Sequence, residues 1–215
     1  MKFSDMLLDL LFPRKCTFCR RLTQGGAMVC PRCAAKLPYT GYSARQDFPH
    51  LAACYSPLYY TEDVRRSLLG YKFGGLRMYA SAYGEFLAKC IDENRISCDS
   101  ITWVPLSRMR LRKRGYDQAR LLAEELSRRL SIPCIPLLRK MRNNPRQSAT
   151  GNAEKRRRNV KGVYEALPDP DIRGKTILLV DDIVTTGATL SEAASVLQKA
   201  GAASVVGLTL ARRKE

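Results

Sequence analysis

The sequence predicts an α/β domain, a mainly parallel sheet flanked by helices, behind a small N-terminal four-cysteine module. Three observations carry this. From residue 101 onward, short apolar runs alternate with stretches of helical spacing, the pattern of strands and crossover helices. One run, Ile177 to Val180, leads directly into a turn of small residues and then a helix. Near the N-terminus, cysteines pair as Cys16-x₂-Cys19 and Cys30-x₂-Cys33.

Taken in order, Ile101 to Val104 reads as a strand closed by Pro105. An arginine-dense loop follows, then a helix from near Tyr116, with Ala119, Leu122, Ala123, Leu126 and Leu130 on one face and Pro133 ending it. Ile135 to Leu138 and Val163 to Ala166 read as strands, and Ile177 to Val180 as a strand buried on both faces. Gly187 to Ala200 reads as a helix stopped by Gly201, and Val205 to Leu210 as the last strand. The polar, basic stretch 143–159 reads as a long loop of the kind that carries function.

Two units are expected: residues 1–40, closed by Leu37-Pro38, and residues 41–215, with 41–100 as a hood or acceptor region. Met1 to Phe12 reads as a short amphipathic helix that packs on the protein, because Asp5 and Asp9 interrupt its apolar patch. It makes a poor signal peptide, and no run of eighteen apolar residues exists to span a membrane. A cytoplasmic, reducing location is therefore expected, where cysteines bind metal more often than they form disulfides. Four thiolates in two knuckles separated by ten residues suit a closed tetrahedral Zn²⁺ site of structural role, Cys16, Cys19, Cys30 and Cys33 being its ligands, with a redox pair or an iron–sulfur cluster as the alternatives. Cys54, Cys90, Cys98 and Cys134 are scattered, as small core residues are, and His50 reads as structural or solvated.

The formal charge is +17. Pro105 to Lys161 holds 17 Lys or Arg against 4 Asp or Glu, a net of +13, so most of the excess lies there. Such a field attracts polyanions: a pyrophosphate, a phosphorylated sugar or nucleic acid.

The most specific segment is Val180 to Leu190. A buried strand delivers Asp181 and Asp182, and Thr185, Thr186, Gly187, Ala188 and Thr189 form the turn that opens a helix. Small residues let backbone N–H groups approach a phosphate, the helix N-terminus adds positive dipole, and hydroxyls add donors. Two carboxylates would repel a bare phosphate, so they are expected to grip ribose hydroxyls or Mg²⁺ on the same ligand. A phosphate nest beside a diol grip suits a ribose 5-phosphate. The Gly-x-Gly-x-x-Gly spacing of a dinucleotide site is absent.

This segment resembles the motif by which type I phosphoribosyltransferases bind phosphoribosyl pyrophosphate (PRPP). The resemblance implies that Thr185 to Thr189 cradle the 5-phosphate and that Asp181 and Asp182 hold the ribose hydroxyls, directly or through water and Mg²⁺. VPLSRMRLRKRGYDQA (104–119), RQS (146–148), RRRNVKG (156–162) and the cysteine pairs together resemble the ComF family of competence-associated proteins. The resemblance covers nearly the whole chain and departs at Asp117, where asparagine is expected. It implies a pyrophosphate loop at 105–115, with Ser107, Arg108 and Arg114 contacting the ligand and Arg110, Arg112 and Lys113 adding charge. It also implies a hinged loop at 143–159 with contacts from Gln147, Arg156 and Asn159. Asp181, Asp182 and Arg108 are the catalytic candidates.

Two functions stay open. One is a PRPP-binding protein of the ComF type acting in DNA uptake, with single-stranded DNA and other competence proteins as partners. The other is an active transferase moving ribose 5-phosphate from PRPP to an unknown acceptor. Tyr55, Tyr59, Tyr60, Tyr71 and Phe73, beside Arg65, Arg66 and Lys72, are either core residues or a platform for stacking bases.

Overall fold

The computed structural model describes residues 14–23, 25–41, 44–142, 162–168 and 172–214. The N-terminal amphipathic segment and the loop positions Gln147, Arg156 and Asn159 lie outside the described residues. The main sheet contains β1 (Arg45–Gln46), β2 (Ala53–Tyr55), β3 (Leu58–Tyr59), β4 (Ser100–Trp103), β7 (Thr176–Val184) and β8 (Ser204–Arg212). Its order is β1-β2-β8-β7-β4, with β3 continuing past β2 along β8. Every pairing is parallel except β1 with β2. A separate antiparallel pair joins β5 (Leu138–Lys140) to β6 (Tyr164–Ala166).

β7 lies between β4 and β8, and its aliphatic run follows from burial on both faces. Leu178 and Val180 face one core cluster, with α2 (Glu62–Phe73), α3 (Tyr79–Glu93) and α5 (Gln118–Leu130). Ile177 and Leu179 face the other, with α6 (Ala188–Lys199) and the β5–β6 pair. The period-2 alternation of a strand thus assigns successive residues to opposite layers. α6 buries Leu190, Ala193, Ala194 and Leu197 at helical spacing.

Segment 45–59 contributes three short strands to the main sheet. The cysteine module, which includes α1 (Pro31–Ala34), docks on α2 and α3. Phe18 is buried against the rings of Tyr83 and Phe86, and the Ser67 hydroxyl donates to the Thr17 carbonyl at 2.7 Å.

The structure corrects two local readings. The arginine-dense segment is not a loop: Arg108–Arg114 forms helix α4. Ser107 caps its start, accepting from the Arg110 N–H, and Gly115 at φ 78° closes it in the left-handed region. The strand expected at Ile135 to Leu138 begins at Leu138, with only a single bridge, Ile101 to Cys134, before it.

Candidate functional site

β7 carries Asp181 and Asp182 within the strand, and Thr185–Gly187 turns into α6. Gly187 sits at φ 69°, and a Cβ there would come within 2.1 Å of the Phe48 ring. Both the backbone conformation and the pressed ring therefore require glycine. The turn lines a cleft of about 30 Å³ with Asp181, Thr185, Thr186, Gly187, Ala188 and Thr189. A larger recess of about 460 Å³ lies between the cysteine knuckles and α2, lined partly by Arg21, Arg32, Lys36 and Arg66. It has no strand-to-helix turn, and its lining acid, Asp63, stands among basic residues, so chemistry rather than size selects the smaller cleft, which Asp181 lines while Asp182 lies buried behind it against Lys72.

The two acids are held differently. Asp181 Oδ1 accepts from the Asp182 backbone N–H at 2.8 Å. Burial, then the neighbouring Asp182 charge, pushes the Asp181 carboxyl up to about 8, against the pull of that N–H and of Lys72. Asp182 is buried, and its Oδ1 accepts from Lys72 Nζ at 2.6 Å. Its Oδ2 is buried without a hydrogen-bond partner among the described residues. Lys72, grouped by sequence with the aromatics, instead belongs to the acid pair.

The other expected residues divide. Ser107 is buried and its hydroxyl serves as a helix cap, while Arg108 is exposed on α4. Arg114 donates to Gln118 Oε1 and lies over the Phe73 ring at 4.7 Å; burial lowers its pKa and the Asp182 charge opposes that. A cation that sequence reasoning missed, Lys140, donates to the Tyr164 hydroxyl at 3.3 Å. Burial lowers its pKa, Arg110 lowers it further, and Asp181 and Asp117 raise it. The aromatic group does not form one platform. Tyr71 is fully buried in a cluster with Tyr83 and Tyr116, Phe73 is exposed, and Tyr59 lies beside Arg212.

The four module cysteines present sulfurs all within 4.8 Å of one another. Cys19 and Cys30 sulfurs are 3.7 Å apart, close to the ~3.8 Å edge of a tetrahedron with zinc–sulfur bonds of about 2.3 Å. N–H groups of Cys19, Cys30 and Phe18 bring the Cys16 thiol down to about 7 against its burial, whereas burial raises the Cys19 and Cys33 thiols, so the sulfur geometry rather than the titration carries the metal reading. The residues fit a structural zinc ion.

The phosphoribosyl transferase domain family matches residues 117–215, and the double zinc ribbon domain family matches residues 7–44. Competence protein ComFC of Bacillus subtilis is 33% identical over 161 residues, covering 71% of this chain and 61% of that protein. Competence protein F of Haemophilus influenzae is 36% identical over 115 residues, 53% of this chain and 50% of its own length. The chain is a member of the ComF family. It spans 50–61% of the length of these two relatives. The DNA utilization protein YhgH of Escherichia coli is 29% identical over 202 residues, covering 88% of this chain and 86% of that protein. Among solved structures, the glutamine PRPP amidotransferase of B. subtilis aligns at 24% identity and TM-score 0.41 over 61% of this chain and 26% of its own. The purine phosphoribosyltransferase of Pyrococcus horikoshii aligns at 21% and 0.40 over 63% and 74%.

In this ComF-family chain the expected asparagine is Asp117, and its surroundings suit a carboxylate. Oδ2 accepts from the Leu106 N–H at 2.8 Å, and Oδ1 from the Ala119 and Arg120 N–H groups at 3.1 and 3.3 Å. All three partners are donors, so an acceptor-only group satisfies them where an amide would turn its NH₂ toward one of them. Burial raises the Asp117 pKa and these N–H groups lower it. No helix among the described residues is long and apolar enough to cross a membrane.

Proposed function

We propose that this ComF-family protein binds PRPP at the β7–α6 turn and acts in the cytoplasm on single-stranded DNA entering by natural transformation. The observation that carries the ligand reading is the juxtaposition of the acid pair with the threonine-rich turn at the α6 N-terminus. Backbone N–H groups and the Thr186 and Thr189 hydroxyls take the 5-phosphate, and the carboxylates accept the ribose hydroxyls. Mg²⁺, when bound with PRPP, offsets the pyrophosphate charge. The names of the relatives, competence proteins and a DNA utilization protein, support the DNA role.

Transfer to an acceptor is the second reading, favoured by Arg108 on α4 and Lys140 on β5 as cations for the departing pyrophosphate. Breaking the C1–oxygen bond leaves a cationic ribose and an anionic leaving group, so such cations would act where charge develops. The competence machinery supplies protein partners in either reading, and residues 1–40 and 41–215 serve as the zinc and ligand-binding units.

Calorimetry with PRPP and Mg²⁺ tests the ligand assignment. Asp181→Asn with Asp182→Asn should weaken binding by at least about tenfold, the loss of the charge-assisted hydrogen bond at Asp182. Wild-type affinity in a folded double variant would overturn it. Pyrophosphate release with an acceptor panel separates a transferase from a binding protein.

A further inference from the structure

The acid pair carries a charge partner that neither the phosphate nest nor the pyrophosphate loop explains. Lys72 lies 110 residues away in sequence, in the last turn of α2, and reaches Asp182 Oδ1 at 2.6 Å. Its side chain is only 18% exposed and that of Asp182 only 6%. The helix that delivers it is fixed. Val64, Leu68 and Tyr71 are buried in the core, the Tyr71 hydroxyl donates to the Gln118 carbonyl at 2.8 Å, and the Tyr116 hydroxyl donates to the Tyr71 carbonyl. Lys72 is thus held against the strand by the same contacts that join α2 to the start of α5.

The remaining oxygen, Asp182 Oδ2, is buried and lacks a partner among the described residues. A buried carboxylate oxygen without a donor is costly, and such groups persist where a ligand completes them. Two kinds of group can complete it: a metal cation or a neutral donor such as a hydroxyl. The ammonium already supplies a full positive charge to this carboxylate, which removes much of the attraction for a second cation. A hydroxyl brings a donor without adding charge. An ammonium also has three N–H donors, of which Asp182 Oδ1 takes one, so Lys72 can serve the same ligand directly.

We propose that Lys72 is the resident counter-cation of the acid pair, standing in place of a directly bound divalent ion, and that it fixes Asp182 so that Oδ2 accepts a ribose hydroxyl without metal. The inference rests on the phosphoribosyl reading above. It makes Lys72 a positioning residue and divides the ligand in two. The ribose 5-phosphate half binds without divalent cations, and any Mg²⁺ requirement belongs to the pyrophosphate half.

Ribose 5-phosphate is the probe, because it lacks the pyrophosphate that itself chelates Mg²⁺. Calorimetry on the full chain, with EDTA and then with Mg²⁺, should give wild-type dissociation constants within about threefold of each other. Lys72→Met should weaken binding in EDTA by about tenfold or more, with Mg²⁺ recovering part of the loss as the ion occupies the vacated charge position. Lys72→Met strands a buried carboxylate, so Lys72→Met with Asp182→Asn serves as a neutral pair of similar shape. It should melt cooperatively and bind the probe weakly with or without Mg²⁺. Wild type that binds the probe only with Mg²⁺, or a folded Lys72→Met variant that binds as wild type in EDTA, overturns the inference while leaving PRPP binding intact. Wild type that binds neither ribose 5-phosphate nor PRPP overturns both. The wild-type comparison decides the matter even if both variants misfold.

Discussion

Asp181 and Asp182 are neighbours in sequence held by different partners, one turned onto its own backbone and the other paired with an ammonium. The raised carboxyl of Asp181 has a consequence for stability. A folded-state value near 8, above the ordinary carboxylate value, means the folded protein favours the protonated form. That contribution is complete below about pH 4 and disappears as pH rises through 8. Asp181→Asn removes the titration, so its melting temperature should gain on wild type between pH 4 and pH 9. The corresponding gain in stability should be on the order of 2 kcal/mol after allowing for solvent reaching this partly exposed group, or about 4–8 °C in melting temperature. Equal differences between variant and wild type at both pH values would sink the assignment. At this scale the acids and threonines were legible because one contiguous segment holds them all. Lys72 was not, because only the packing of α2 brings it across 110 residues of chain. Asp117 looked like a lost hydrogen bond, but its three backbone donors show that it fits.

Among the elements, those with strong periodicity were readable and those made by caps or by pairing were not. α5 and α6 follow their apolar faces, and β7 follows its continuous aliphatic run, although it extends through the acids to Val184. α4 buries no residue, so no apolar stripe announces it; Ser107 and Gly115 define it instead. β1 to β3 are two or three residues long and exist because β8 and β2 offer edges to pair with. The zinc knuckles were legible from spacing alone, but their docking on α2 and α3 was not. That docking changes what metal loss should do. Cys16, Phe18 and Leu37 belong to the same buried cluster as Tyr79, Tyr83 and Leu87, so the module supports the larger domain. Purified protein should contain about one zinc per chain, as a four-thiolate site implies. Cys16→Ser with Cys19→Ser should lower the melting temperature of the whole chain by roughly 6–24 °C. Phe18 and Leu37 burial is worth about 1.5–3 kcal/mol each, and each kcal/mol moves a chain of this size by about 2–4 °C. A variant that loses zinc yet keeps the wild-type melting temperature would show that the module adds nothing to the core.

For the whole molecule, the net charge of +17 sets how it meets other polyanions. The basic excess read from the sequence is partly neutralised in the fold. Arg120 pairs with Glu124, Arg128 and Arg129 pair with the buried Glu125, and Arg139 pairs with Glu165. Arg114 is also committed, to Gln118 and the Phe73 ring. Arg108, Arg112 and Lys113 are exposed along α4 and can be removed without opening the core. Single-stranded DNA held there would be bound largely through released counterions, with little dependence on base sequence. Fluorescence anisotropy with a labelled oligonucleotide should therefore show affinity falling steeply with salt. Arg108→Ala, Arg112→Ala and Lys113→Ala together should make the log–log salt slope shallower by about 2–3, roughly 1 for each phosphate that the variant no longer neutralises. If α4 also faces the pyrophosphate of PRPP, then PRPP should compete with the oligonucleotide in wild type and bind the triple variant more weakly. A variant that keeps the full salt slope but loses PRPP affinity would move the DNA surface away from α4, and the recess bounded by Arg21, Arg32 and Lys36 is the next basic surface to test. Absence of oligonucleotide binding even at low salt would remove nucleic acid from the account, leaving transfer of the phosphoribosyl group as the reading to pursue.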